Sequence, residues 1–245
     1  MKNKTFFETI NKAYCITLEK RPEKWNAFKK DTASFLPIDV TKWFGIDGST
    51  LNETDLAKFK FRIPKKYEDR WRGHAGCTLA HTGIYKDALI KGYDKVLIFE
   101  DDCVITNTKT FIADIERSAC ELPDDWLMFM LGGREWRTTD KLPLYEQFSE
   151  NLARAIQVFE LHAYVVTKEY MEIALTYFNK KPIQTDNISV QLQKDLRKTY
   201  ITNPIYCTQR PGHSDILHRK QSTHGIKTYL QPRQLKFEDK KNKLF

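Results

Sequence analysis

What this chain lacks narrows its function early. No apolar run among its 245 residues approaches the roughly 20 needed to span a bilayer. The opening residues, MKNKTFFETINKAY, have no long apolar core of the signal-peptide kind, so the expected location is the cytoplasm. The five cysteines (Cys15, Cys77, Cys103, Cys120, Cys207) form no C-x-x-C pair and no metal-ligand spacing, and they read as reduced thiols, mostly buried. No glycine-rich phosphate loop of the P-loop or dinucleotide type is present. The rest is ordinary for a globular chain, at 41% hydrophobic and 29% charged residues, and the length suits one large α/β domain or two small ones, of which a single domain is preferred.

A net charge of +8 raises the prospect of nucleic-acid binding, but its distribution argues against it. Ile216 to Phe245 holds eight Lys/Arg against two acids, so six of the eight excess charges sit in this end segment. The other residues are close to neutral. We therefore divide the chain into a domain over residues 1–218 and a basic tail over 219–245. Such a tail is either a solvated end or a contact for an anionic acceptor, a membrane surface or nucleic acid.

What is present centres on Gly73 to Ile105, GHAGCTLAHTGIYKDALIKGYDKVLIFEDDCVI. It reads as a helix over Ala75 to Lys91, a glycine stop at Gly92, and a buried strand over Lys95 to Phe99. Cys77, His81, Ile84 and Ala88 recur at helical spacing and share one face, where His81 reads first as a core histidine. The strand runs into Glu100, Asp101 and Asp102. In open α/β sheets ligands bind beyond the carboxyl ends of strands, so these acids stand where a site is expected. Adjacent carboxylates repel and are costly to desolvate unless a cation or donors compensate, and oxygen ligands of this kind suit Mg²⁺ or Mn²⁺.

GCTLAH followed by DALIKGYDKVLIFEDD resembles glycosyltransferase family 25, in which a GC-x-x-SH segment precedes a strand ending in EDD; Ala80 stands here in place of the usual Ser. The resemblance extends, in order, over roughly residues 12 to 218. It implies a GT-A type α/β fold, a Rossmann-like sandwich with a mainly parallel central sheet. It also implies a metal-dependent inverting transfer of galactose or glucose from a UDP-sugar to a hydroxyl of a glycan or protein. On that resemblance Asp102 is the principal metal ligand, with Glu100 as a further ligand, and Glu100 or Asp101 faces the ribose or donor sugar.

The remaining motifs follow the chain. Ala13 to Leu18 reads as the first strand. After it, Thr17 to Lys24 aligns with the family's Asn-Leu-x-x-Arg-x-x-Arg, with Arg21 matching, Lys24 for Arg and Thr17 for Asn; this implies donor contacts at Thr17 and Arg21. Ile38 to Asp47 reads as a second strand ending in the turn GIDG, followed by a short helix over residues 49–60 and a basic, aromatic, mobile connection from Phe61 to Arg72. Thr110 to Leu122 reads as a helix and Trp126 to Leu131 as a buried strand broken by Gly132-Gly133, where the family has Leu-Gly and Gly132 approaches the donor. Residues 134–153 read as irregular, with Trp136 and Tyr145 as acceptor or core contacts, and Ile156 to Thr167 as two short strands around Glu160 to His162. A helix follows from Lys168, and Asp186 begins another, as its cap or as a carboxylate that the helix dipole keeps ionised. Tyr200 to Gln209 reads as the last strand, and Ser214-Asp215-Ile216 matches a family segment flanked here by His213 and His218. The resemblance offers His213 or His218 as a late metal ligand, of which His218 is preferred. For the base that deprotonates the acceptor, Glu160, Asp186 and Asp215 are the candidate acids, with Asp186 ranked first and Asp215 second.

Overall fold

Alternation along short apolar strands decides the layering. In the strand leading to the acids, Val96 and Ile98 join one buried cluster while Leu97 and Phe99 join another. Met128 and Met130 divide from Phe129 and Leu131 in the same way, as do Tyr164 and Val166 from Ala163 and Val165. A strand apolar on both faces must be covered on both, which makes a sheet between two helical layers.

A computed structural model describes residues 4–58, 68–135, 143–181, 183–214 and 219–221. Its strands are β1 (Lys12–Thr17), β2 (Val40–Phe44), β3 (Lys95–Glu100), β4 (Cys103–Ile105), β5 (Met128–Met130), β6 (Arg134–Glu135), β7 (Tyr145–Gln147), β8 (Leu152–Ala155), β9 (Val158–Phe159), β10 (Ala163–Thr167), β11 (Thr199–Thr202), β12 (Cys207–Gln209), β13 (Gly212–Ser214) and β14 (Arg219–Gln221). The α-helices are α1 (Pro22–Asp31), α2 (Glu53–Lys58), α3 (Glu68–Ile90), α4 (Phe111–Ala119), α5 (Lys168–Lys180) and α6 (Thr185–Leu196).

The central sheet has the order β2-β1-β3-β10-β5-β11-β8-β7. β1 runs parallel to β2 and β3, and β11 runs parallel to β5. β10 is reversed against both β3 and β5, and β8 against both β11 and β7. The sheet is thus mostly parallel in strand direction but mixed, an α/β sandwich as the resemblance implies. Ile84, Tyr85 and Ala88 of α3, Met171 of α5 and Ile188 of α6 pack in the cluster on one face. Phe28 of α1 with Phe111 and Ile115 of α4 packs on the other.

Several sequence readings need correction. β3 has a parallel neighbour on one side only, because β10 returns antiparallel beside it. The helix expected from Ala75 begins at Glu68, so Arg72 belongs to α3 and not to a connection; residues 59–67 lie outside the described residues. Gly92 ends this helix region as expected, at a φ of 70°. The span 134–153 includes an ordered pairing, β7 against β8, because Leu152, Ala153 and Ala155 are buried on the sheet. The expected single strand from Tyr200 to Gln209 is two strands in different sheets, separated at the Asn203–Pro204 bond; Pro has no N–H for a ladder. β13 and β14 follow it, so it is not the last strand. Beyond residues 219–221, the basic tail lies outside the described residues, as do Trp136, Asp215 and His218.

Candidate active site

β3 carries its alternation one step past its apolar run. Val96 and Ile98 face α3, and two residues on so does Glu100, where it meets helix residues instead of core. Its carboxylate Oε1 lies 3.3 Å from His81 Nε2 and 4.0 Å from Cys77 Sγ, while Gln209 Nε2 stands 3.5 Å from Oε2. His81 is fully buried, and its Nδ1 lies 2.6 Å from the Tyr164 hydroxyl, which in turn is 2.9 Å from that of Tyr85.

The turn after β3 is held from three sides. Thr17, at the end of β1, donates its hydroxyl to Asp101 Oδ2 at 2.7 Å, and the Asp101 N–H donates to the Ile16 carbonyl at 3.1 Å. The Asp102 carbonyl accepts the Arg210 N–H at 2.6 Å. β4 begins immediately afterwards and is paired with β12. Asp102 Oδ1, however, is buried with no hydrogen-bond partner among the described residues. Burial, then the charges of Glu100 and Asp101, push the Asp102 carboxyl well above the usual carboxylate range, and Lys24 offsets part of this. Burial, then Asp101, raises Glu100 to about 7.

These acids form one wall of a cleft with an empty volume of about 690 Å³. Thr17, Lys24, Glu100, Asp101 and Asp102 line it together with Gly45 to Gly48, Gly73, Gly76 and Cys77. The GIDG turn and α3 meet without room for side chains between them. A Cβ on Gly48 would stand 2.0 Å from the Arg72 carbonyl oxygen, and one on Gly76 would stand 2.3 Å from that of Ile46. Asp47 caps its own short turn by accepting the Ser49 N–H at 3.0 Å, and it pairs with Lys20. Burial acts against its ionisation, but the hydrogen bonds from Lys20 and Ser49 hold its carboxyl below the ordinary value.

Of the residues singled out from sequence, the fold thus brings Thr17, Glu100, Asp101 and Asp102 onto one cleft. Arg21 stands at the start of α1, with its guanidinium 3.7 Å from Glu23, and Lys24 is the cation of this segment that lines the cleft. Gly132 lies elsewhere, bridged to Cys207, and a Cβ there would stand 2.3 Å from His162 Nε2. Asp186 sits in the first turn of α6, whose cap position is Gln184. Its carboxyl is pushed up to about 6, by burial first and then by Glu100, while the Glu160 N–H bond and His81 draw it down. Burial therefore raises this carboxyl despite its place at the helix N-terminus, yet a group titrating at about 6 is still mostly ionised at neutral pH. Glu160, 3.3 Å from Arg134, has a positive φ of 71°, sparsely populated for a non-glycine residue, and burial lifts its carboxyl to about 7.

Sequence reasoning passed over Gly73 and Gly76 as a pair and Tyr164 as a partner of His81. The glycines had a signal: inside a helix each costs about 1 kcal/mol against Ala, so two within one turn suggest a close backbone approach. Tyr164 had none, because its partner lies 83 residues away.

An α/β sandwich with a carboxylate-lined cleft at the end of a central strand defines the class of site. The family is then clear. Residues 10–189 match the family described as "Glycosyltransferase family 25 (LPS biosynthesis protein)", and the chain belongs to it. Among curated relatives, "Inactive glycosyltransferase 25 family member 3" of Mus musculus is 28% identical over 99 residues, covering 38% of this chain and 17% of that protein. "Procollagen galactosyltransferase 1-A" of Xenopus laevis is 24% identical over 143 residues, covering 54% and 23%. The chain therefore spans less than a quarter of the length of either relative. A solved "glycosyltransferase involved in the glycosylation of the major capsid of PBCV-1" has a TM-score of 0.49 at 12% identity, covering 83% of this chain and 94% of that one.

Proposed function

We propose that this chain is a metal-dependent, inverting glycosyltransferase that moves galactose or glucose from a UDP-sugar to a hydroxyl of a glycan or protein. The observation that carries this reading is the buried Oδ1 of Asp102, which has no hydrogen-bond partner among the described residues and shares a cleft wall with Glu100 and Asp101. A buried carboxylate oxygen without a donor is costly, and an oxygen-seeking divalent cation is the partner that fits it.

Asp102 and Glu100 would hold Mn²⁺ or Mg²⁺, with His218 as a late ligand, and the ion would counter charge growing on the diphosphate leaving group. The protein's own groups do the rest. The Thr17 hydroxyl fixes Asp101 toward the ribose or donor sugar. Lys24 supplies positive charge on the same cleft, suited to the diphosphate. The glycine contacts between the GIDG turn and α3 leave a smooth backbone wall against which the donor lies.

Asp186 is the proposed base that takes the acceptor proton, with Asp215 as the second candidate. A carboxyl titrating at about 6 is ionised at neutral pH yet basic enough to accept a proton in the transition state. The frog relative's printed name, a procollagen galactosyltransferase, supports galactose as the sugar and a protein hydroxyl as the acceptor.

The mouse relative's printed name, an inactive family member, favours a second reading: a nucleotide- or glycan-binding protein without turnover. A screen of UDP-sugars for UDP release, with and without Mn²⁺, separates the two. Metal-dependent release from UDP-galactose or UDP-glucose is the expected result. Binding of UDP with no release from any donor would overturn the enzyme reading.

A further inference from the structure

Beyond the acid triplet, the structure gathers ligands of a softer kind. Cys77 and His81 stand four residues apart on α3, hence on one face. Their Sγ and a ring nitrogen lie with a Glu100 carboxylate oxygen within 4.8 Å of one another. Sulfur, imidazole and one carboxylate form a donor set suited to zinc-like ions, whereas Mg²⁺ prefers oxygen throughout.

We propose that Cys77, His81 and Glu100 form a second cation site, selective for Zn²⁺ or similar borderline-soft divalent ions, set into the wall of the cleft. Zn–S near 2.3 Å and Zn–N or Zn–O near 2.0–2.2 Å imply donor–donor edges of about 3.4–3.6 Å around a tetrahedral ion. The His81 Nε2 to Glu100 Oε1 distance is 3.3 Å, already close to such an edge. The Cys77 Sγ to Oε1 distance of 4.0 Å needs to close by only a few tenths of an ångström. The ring is also aimed from behind: Nδ1 lies 2.6 Å from the Tyr164 hydroxyl, the outer-sphere contact that fixes the tautomer and orientation of a ligating histidine. With Nδ1–H donating to Tyr164, the Nε2 lone pair faces Glu100 and Cys77.

Cys77 and Glu100 both line the cleft, so an ion reaches the site from there and keeps a fourth position open toward it. Binding forms one bond each from sulfur, nitrogen and oxygen to the metal. The thiol proton, and any proton shared between His81 Nε2 and Glu100, passes to solvent. Glu100 Oε2, 3.5 Å from Gln209 Nε2, is the oxygen left for the cation that Asp102 would hold, so the two sites share this carboxylate.

The test is a Co²⁺ titration of the full chain, followed by absorption and reversed with Zn²⁺. The expected result is a near-ultraviolet thiolate-to-cobalt band that Zn²⁺ abolishes. Cys77→Ser should lose the band, which excludes the exposed Cys120 as its source. Tyr164→Phe keeps all three ligands and should weaken Co²⁺ binding on the order of 10- to 100-fold, with its fold checked by circular dichroism. Asp102→Asn should retain the band. Absence of a thiolate band in the wild type, its persistence in Cys77→Ser, unweakened binding in Tyr164→Phe, or its loss in Asp102→Asn would each overturn the proposal. None of these readouts requires transferase activity.

Discussion

The Asp102→Asn substitution tests the cleft most directly, because it changes charge while preserving shape. The carboxylates after β3 lie together in a poorly solvated turn. Glu100 shows the scale: its pKa rises from 4.5 to about 7, and at about 1.4 kcal/mol per unit, keeping it ionised costs on the order of 3 kcal/mol. An acid whose folded pKa is raised contributes stability that is present at low pH and lost as pH rises through the folded value. At neutral pH the cation-free protein therefore bears the cost of burying these carboxylates, to which their mutual repulsion adds, and Asp102→Asn removes one buried acid from the group. The cation-free variant should melt no lower than the wild type. Added Mn²⁺ should separate them in the opposite direction. At a cation concentration one hundred times Kd, binding to the native state adds about 2.7 kcal/mol, or roughly 5–10 °C in Tm for a chain of this size. Thermal melts at neutral pH, with and without Mn²⁺, should show that shift in the wild type and almost none in the variant. An equal Mn²⁺ shift in Asp102→Asn would refute the argument, as would a cation-free variant clearly less stable than the wild type.

Asp186→Asn should reduce transfer on the order of 10²- to 10⁴-fold with UDP binding preserved, and wild-type transfer would place the base elsewhere. Because the base works ionised and titrates at about 6, wild-type rates should rise with pH through that value, which a pH–rate profile checks. Gly76→Ala forces a Cβ against the Ile46 carbonyl and should cost about 1–3 kcal/mol in urea unfolding; a neutral result would mean that the GIDG turn yields easily. Deleting residues 226–245 should leave UDP-sugar hydrolysis unchanged, and its loss in a folded truncation would bring the tail into the donor site.

Local chemistry alone makes the alternation of strands and helices legible along the chain. The run from Val96 to Phe99 is apolar at every position, which only a doubly covered strand tolerates. Gly92 marks the end of α3 because its φ of 70° suits a residue without Cβ. The acids at 100–102 follow from a strand that ends where its hydrophobic run ends. Each signal lies within a dozen residues, and so periodicity and type suffice to show it.

Tertiary structure decided the rest. The reversal of β10 between β3 and β5 depends on which strand edges remain to be paired, and no local pattern encodes that. The same reversal carries Tyr164 to His81 and brings the His162 carbonyl to the Glu100 N–H. Asp186 reaches the neighbourhood of Glu100 through the docking of α6 and Glu160 through the segment that leads into β10, and Asp102 Oδ1 is left with no partner among the described residues only because the turn is buried. A carboxylate's sequence position identifies a group with an ordinary pKa. Its solvation and neighbours, contributed by segments far away in the chain, decide whether it becomes a ligand, a base or a solvated surface acid.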